Sequence, residues 1–206
     1  IWWFLKEKMG MTDAGAAGLM GNLFHESSLN PNNVEDTINT YTGMTDEQYT
    51  AAVDSGTIDK ETFLHPKGGD SKYGYGLAQW TYWSRKENLL KFAKQKNKSI
   101  GDLYMQLDFL MIELSAGYKG LLSTLKNTNS VKEASNGVLL QFERPADQSV
   151  SVQNKRASYG QTYYDKYAQK TIKPTGGNNM KYDENNKPLV CMQTHSTCYK
   201  GTRTMT

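Results

Sequence analysis

The sequence predicts an all-α domain interrupted by one irregular, glycine-rich stretch. Three observations carry this expectation. Apolar residues recur at helical spacing through most of residues 1–170, and capping residues stand at the starts of these runs. Residues 57–80 lack that period and hold Pro66, Gly68, Gly69, Gly74 and Gly76. From Thr171 the pattern collapses into Pro174, Gly176, Gly177 and the run Asp183-Glu184-Asn185-Asn186-Lys187-Pro188, which is linker composition.

Taken in order, Ile1 to Met9 reads as a short apolar helix closed by Gly10. Thr12 or Asp13 caps the next helix, which runs to Ser27; its small residues Ala14 to Gly18 let a neighbour approach closely. Residues 32–44 are rich in Asn and Thr, show no period and read as loop. Thr45 and Gln48 form a capping box for a helix that buries Tyr49, Ala52 and Val53 and ends at Gly56. After the glycine-rich stretch, Ser84 to Lys96 buries Leu89, Leu90 and Ala93. Ser99 is expected to cap a helix carrying Leu103, Leu107, Leu110, Met111 and Leu114 on one face. Gly120 to Lys126 makes a short helix. Ser130 and Glu133 read as a second capping box, leading to Val138, Leu139 and Phe142 before Pro145. The last helix runs from about Val150 to Tyr167. At most a minor hairpin is expected, between residues 32 and 80.

Composition narrows the function classes. The hydrophobic fraction of 37% suffices for a core, and the net charge of +3 makes no demand for a nucleic-acid partner. Basic and acidic residues balance over 1–170, so the excess lies in 171–206. No apolar run reaches the length of about 18 residues that a membrane span needs. The two cysteines, Cys191 and Cys198, both fall in the tail, where a disulfide and two free thiols are equally open readings. The chain starts at Ile1 rather than Met, so a preceding segment is expected.

The chemistry centres on Gly21 to Pro31. Leu19, Met20, Leu23 and Phe24 fall at helical spacing, and Glu26 follows about one turn after Leu23. Asn30-Pro31 stops the helix, because the residue before proline is pushed out of the α region. Glu26 therefore stands near a helix C-terminus, where the macrodipole disfavours a negative charge. Partial burial works in the same direction, and a general acid must hold a proton near neutral pH. A Glu on a solvated helix end fits the position equally well. His25-Glu26 opens like a zinc motif, but Leu29 stands where the second histidine ligand belongs, so no metal is expected. The remaining histidines, His65 and His195, make no cluster, and His25 reads as a structural hydrogen-bonding residue.

Glu26-Ser27-x-x-Asn30-Pro31, followed by Tyr73-Gly74-Tyr75-Gly76-Leu77-Ala78-Gln79-Trp80, resembles the phage tail lysozyme family over roughly residues 1–167. That family belongs to the lysozyme-like superfamily, together with goose-type lysozymes and lytic transglycosylases. The resemblance implies a lysozyme-like fold whose glycine-rich lobe forms one side of a sugar-binding cleft. It implies an enzyme, a muramidase acting on bacterial peptidoglycan at the cell wall, without a cofactor. The β-1,4 bond between N-acetylmuramic acid and N-acetylglucosamine would be cut, with Glu26 as general acid. Ser27, Tyr75, Gln79 and Trp80 would be the substrate-binding residues. Trp80 reads as core packing equally well.

Glycosidases usually need a second carboxylate, and Glu35, Asp36, Asp46 and Asp70 are the candidates. Asp36 is favoured, because the chain must turn back past the cleft there. A lytic transglycosylase and a silent wall-binding or tail module are the alternatives. Phe142-Glu143-Arg144-Pro145 also resembles a family segment, with Glu143 expected to be structural. The cations Arg85, Lys86, Lys91, Lys94, Lys96 and Lys98 read as a solvated helix face. Other phage or cell-wall proteins remain possible partners, and the parent reads as an endolysin or a tail protein. The expected organisation is a catalytic domain over 1–170, a linker over 171–188, and the start of a further domain or a tail over 189–206. That last segment resembles the entry of zinc-dependent N-acetylmuramoyl-alanine amidases. It stops short of any zinc ligands, so no amidase activity is expected from it.

Overall fold

The computed structural model describes residues 1–68 and 72–168. Asp70, Cys191, Cys198 and the expected linker and amidase-like segments lie outside the described residues. The described part is all-α. It consists of a π-helical turn Phe4–Lys8, then α1 Asp13–Ser27, α2 Asp36–Thr42, α3 Asp46–Ser55, α4 Lys60–Leu64, α5 Trp83–Gln95, α6 Leu103–Gly117, α7 Lys119–Asn127 and α8 Val131–Gly137. A second π-helical turn, Val138–Glu143, and α9 Val150–Tyr167 complete it. Among the described residues no helix is long and apolar enough to cross a membrane.

The central element is α1, which packs against α7, α8, α9 and both π-helical turns. Thr12 caps it by accepting from Gly15 N at 3.0 Å, and its hydroxyl donates to Thr128 O at 2.6 Å. Eleven of its fifteen residues are buried, so it is a core helix rather than an amphipathic one. Its glycines set how closely neighbours approach. A Cβ at Gly18 would lie 2.6 Å from Ser135 N of α8, and one at Gly21 would lie 2.6 Å from Arg156 O of α9.

Several expectations are corrected by packing. Residues 32–44 are not all loop: α2 forms there, anchored by Ile38, the one buried residue of its seven. Within 57–80, Asp59 caps α4 through Thr62 N, and Phe63 and Leu64 are buried. One apolar pair in a polar stretch is too short a signal for a period. Ser99 does not cap α6. Asp102 does, accepting from Met105 N at 2.9 Å, while Ser99 bonds Asp54. Only half of the second capping box forms, because Glu133 turns to the Thr128 hydroxyl. The basic face is also not wholly solvated. Lys91, Lys94, Lys96 and Lys98 are exposed, but Lys86 is fully buried. Its ammonium stands 3.2 Å from the Tyr73 ring centroid and donates to Tyr73 O at 3.2 Å. Burial pushes Lys86 down to about 7, against a raising influence of Glu35.

Candidate active site

The Glu26 end of α1 is built as follows. Ser27 is the last helical residue and Ser28 adopts the left-handed conformation with φ 54°, which ends the helix. Ser27 is buried; its hydroxyl donates to Leu77 O at 2.8 Å and to Leu23 O at 3.1 Å. This ties the helix end to the Tyr73–Trp80 segment. That segment is a closed turn: Trp80 N donates to Tyr75 O at 2.9 Å, and Gly76 N to Asn33 O at 2.7 Å. A single antiparallel bridge joins Val34 to Tyr75. Gln106, buried on α6, accepts from Leu77 N at 2.8 Å and donates to Pro31 O and Ile100 O, both at 2.7 Å. Side chains from α1 and α6 therefore position the segment beside the end of α1.

Glu26 itself is partly buried and is paired with a cation, which the sequence reading did not include. Arg156 of α9 places Nη1 2.5 Å from Glu26 Oε1, with the Glu26 side chain 19% exposed and that of Arg156 4%. Arg156 also donates to Asn22 Oδ1 at 3.3 Å, and Asn22 Nδ2 donates to Gly18 O and to Ser135 of α8. Asn22 precedes Glu26 by one helical turn, so the two polar side chains lie on one face and reach the same guanidinium. The two residues that hold the pair, Arg156 and Asn22, escaped sequence reading. The available signal for Asn22 was a polar residue on an apolar helical face. His25 stacks on Tyr159 at 6.1 Å, and burial, then the charge of Arg156, pushes it below its ordinary value.

A second group of charges lies along the Val138–Glu143 turn. Arg85 of α5 makes two bonds to Glu113 of α6, at 2.8 and 2.9 Å, and its guanidinium stands 4.8 Å from the Phe142 ring centroid. Trp80 Nε1 donates to Glu113 Oε2 at 2.7 Å. Glu143 Oε1 is enclosed and has no hydrogen-bond partner among the described residues, and the same holds for Arg156 Nε. Burial, then the charge of Glu26, pushes the Glu143 carboxyl well above the usual carboxylate range, against the lowering influences of Arg85 and Arg156.

The other predicted residues separate into classes. Tyr75 and Trp80 are fully buried, so neither ring offers a face to a sugar, and that role is corrected for both. Tyr75 packs on Phe63 at 5.4 Å and bonds Thr50 at 2.8 Å. Trp80 packs on Phe109 at 5.6 Å. The hydroxyl of Ser27 is committed to backbone carbonyls. Gln79, with φ 43°, donates from Nε2 to Asn33 Oδ1 at 2.9 Å, to Asn33 O and to Gly76 O, so its amide nitrogen braces the turn. Tyr82 and Trp83, just beyond the segment, are 59% and 51% exposed.

Among the carboxylates, Asp46 accepts from Asn30, Asn33, Val34 N and Asn39, which makes it the hub of the 30–46 loop. Glu35 accepts from Gly74 N at 3.1 Å and from Thr37 at 2.8 Å. Asp36 is exposed at the start of α2. Two surface hollows, of about 390 Å³ beside Asp54 and Lys94 and about 490 Å³ beside Asn127 and Glu133, are lined neither by Glu26 nor by the 73–80 segment.

No curated protein matches the chain in a sequence search. A family model does match, described as phage tail lysozyme and covering residues 1–167, which takes in Glu26, the 73–80 turn, Glu143 and Arg156. The chain therefore belongs to the phage tail lysozyme family, with the all-α lysozyme-like fold and a peptidoglycan-degrading, lysozyme-like function.

Proposed function

We propose that this protein is a muramidase that cuts the β-1,4 bond between N-acetylmuramic acid and N-acetylglucosamine, with Glu26 as general acid. One observation carries the reading. Glu26 is a partly exposed carboxylate at the end of a core helix, braced by a buried arginine and set beside the turn that Ser27 anchors. Glu26 gives its proton to the leaving glycosidic oxygen, the C–O bond breaks, and positive charge develops on the muramic acid ring. Such acid catalysis typically contributes about 10²–10⁴-fold. Asp36 is the residue proposed to orient the attacking water. Gln79 and Ser27 act by holding the turn, and Tyr82 and Trp83 offer ring faces to pyranoses. Residues 1–170 form the proposed catalytic domain.

A second reading is a lytic transglycosylase, in which the hydroxyl on C6 of muramic acid closes a 1,6-anhydro ring. It is favoured by the fate of the loop carboxylates: Asp46 and Glu35 are committed to hydrogen bonds that build the fold. A silent wall-binding module is the third. Glu26→Gln keeps the shape and removes the proton. Its clearing of cell walls is expected to fall at least about 100-fold with folding unchanged, within the usual range for acid catalysis. A variant that keeps a tenth of the rate would defeat Glu26 as acid, and a wild-type protein that releases no muropeptide supports the binding module. Mass spectrometry of the products separates the enzymes. Reducing-end muramic acid supports the muramidase, and anhydro-muramic acid, lighter by one water, supports the transglycosylase.

A further inference from the structure

We propose that Arg156, seated by Asn22, is a positioning residue that fixes which oxygen of Glu26 gives up the proton. This rests on the reading of Glu26 as the acid and goes beyond it to the groups that aim the carboxyl.

Ser135, Asn22, Arg156 and Glu26 form one line of polar side chains across α8, α1 and α9. Asn22 is fully buried, and its Nδ2 donates to Gly18 O at 2.9 Å and to Ser135 O and Oγ, both at 3.1 Å. With the nitrogen committed, Oδ1 is left to accept from Arg156 Nη1 at 3.3 Å. The same Nη1 stands 2.5 Å from Glu26 Oε1. Arg156 Nε has no hydrogen-bond partner among the described residues, so the seat of the guanidinium depends on Asn22 and Glu26. Exposed ion pairs hold their geometry weakly. This one is enclosed, with the Arg156 side chain 4% exposed, and a buried guanidinium is costly unless it is paired. The contact is therefore part of the packed structure.

Arginine only donates, so the Glu26 oxygen that meets it must accept. Oε1 takes that place, and the acidic proton is carried by Oε2. In the reaction the proton passes from Oε2 to the leaving glycosidic oxygen as the C–O bond breaks. The negative charge left on Glu26 falls beside a guanidinium that is already in position. The hydroxyl that then attacks, from water or from C6 of the sugar, releases the proton that restores Glu26, directly or through solvent. The role of Arg156 is therefore the same for either product.

The test is the steady-state rate on soluble peptidoglycan fragments, with kcat and KM separated. Arg156→Lys keeps the charge and loses the planar fork. Its kcat is expected to fall about 10–100-fold, because a misplacement of about 1 Å can cost about 100-fold, while KM is unchanged. Asn22→Ala keeps the arginine and removes its seat, so kcat is expected to fall several-fold, again at constant KM. Lys155→Met removes the exposed neighbouring cation and keeps the wild-type kcat. Wild-type kcat in Arg156→Lys or Asn22→Ala, a loss that appears in KM, or a loss that only follows the folded fraction by circular dichroism overturns the proposal. Nitrogen-15 spectra of the arginine side chains need neither variant to fold. The Arg156 Nη signals are expected to be resolved in the wild type and to move in Glu26→Gln. A freely rotating Arg156 guanidinium, or one unmoved by Glu26→Gln, overturns the proposal too. Activity surviving in Glu26→Gln defeats the underlying reading. An inactive Glu26→Gln together with a fully active Arg156→Lys defeats this inference alone.

Discussion

Tyr75 and Tyr82 are the same residue type on either side of Trp80, and the fold gives them opposite surroundings. Tyr75 is sealed between Phe63 and Tyr49 with its hydroxyl on Thr50, whereas Tyr82 is 59% exposed. Their truncations are therefore expected to report different things. Tyr75→Ala empties a core site, a change that costs about 3–5 kcal/mol for large aromatic residues. Tyr82→Ala is expected to leave the melting temperature within about 2 °C, since surface changes stay within about 0.5 kcal/mol. It is expected to weaken binding of muropeptides or chitooligosaccharides several-fold. Thermal melts with a binding titration check both. Equal melting temperatures for the two variants would contradict this assignment of the rings, and unchanged binding by Tyr82→Ala would remove Tyr82 from the substrate surface.

At the scale of elements, α1 and α9 are held close enough for Arg156 to reach Glu26 by two facing glycines. A Cβ at Gly21 would run into Gly160 N and lie 2.6 Å from Arg156 O, so it meets backbone that no rotamer change can move. Gly21→Ala is therefore expected to push α9 outward, although alanine is the better helix former. Overpacking typically costs about 1–3 kcal/mol, which lowers the melting temperature by roughly 2–12 °C in a chain of this size. The same displacement carries Arg156 away from Glu26, so wall clearing is expected to fall further than stability explains. Gly137→Ala, where the nearest obstacle is the flexible Leu121 side chain at 3.0 Å, is the control. A Gly21→Ala protein as stable and active as the wild type would show that the helices separate without cost.

Stability belongs to the whole molecule, and one buried cation gives it a pH dependence. Lys86 is fully buried and pushed down to about 7, chiefly by burial. The unfolded chain keeps its proton up to the ordinary lysine value of about 10.4. Between these values the unfolded state binds the extra proton, so stability rises with pH. Below about 7 both states are protonated, and the cost of burying the charge is present in full. Above about pH 10 the buried phenols of Tyr49, Tyr73 and Tyr75, raised mainly by burial, act in the opposite sense. Relative to Lys86→Met, the wild type is expected to gain about 2–3 kcal/mol between pH 6 and pH 9, at about 1.4 kcal/mol per unit. Denaturant titrations of both proteins across that range check it. Parallel pH dependences would show that Lys86 stays charged in the fold.

Local chemistry made much of this legible from the sequence. Thr12, the Thr45–Gln48 box, Gly10 and Gly56 mark helix ends through their own backbone neighbours, and the structure keeps each of them. The apolar period of α5 and α6 marks their buried faces, since that pattern depends only on helix geometry. Glu26-Ser27 and the 73–80 turn were visible as motifs because their residues are contiguous. Tertiary structure alone decided what surrounds them. Arg156 lies 130 residues beyond Glu26, and nothing local distinguishes it from the exposed cations of the chain. Whether Trp80 faces a sugar or the core, whether Lys86 is solvated, and whether Gln106 braces the 73–80 turn all depend on which distant helix closes over them. Burial and charge pairing are properties of assembled surfaces, so the sequence determined which groups were available, and packing determined which of them meet.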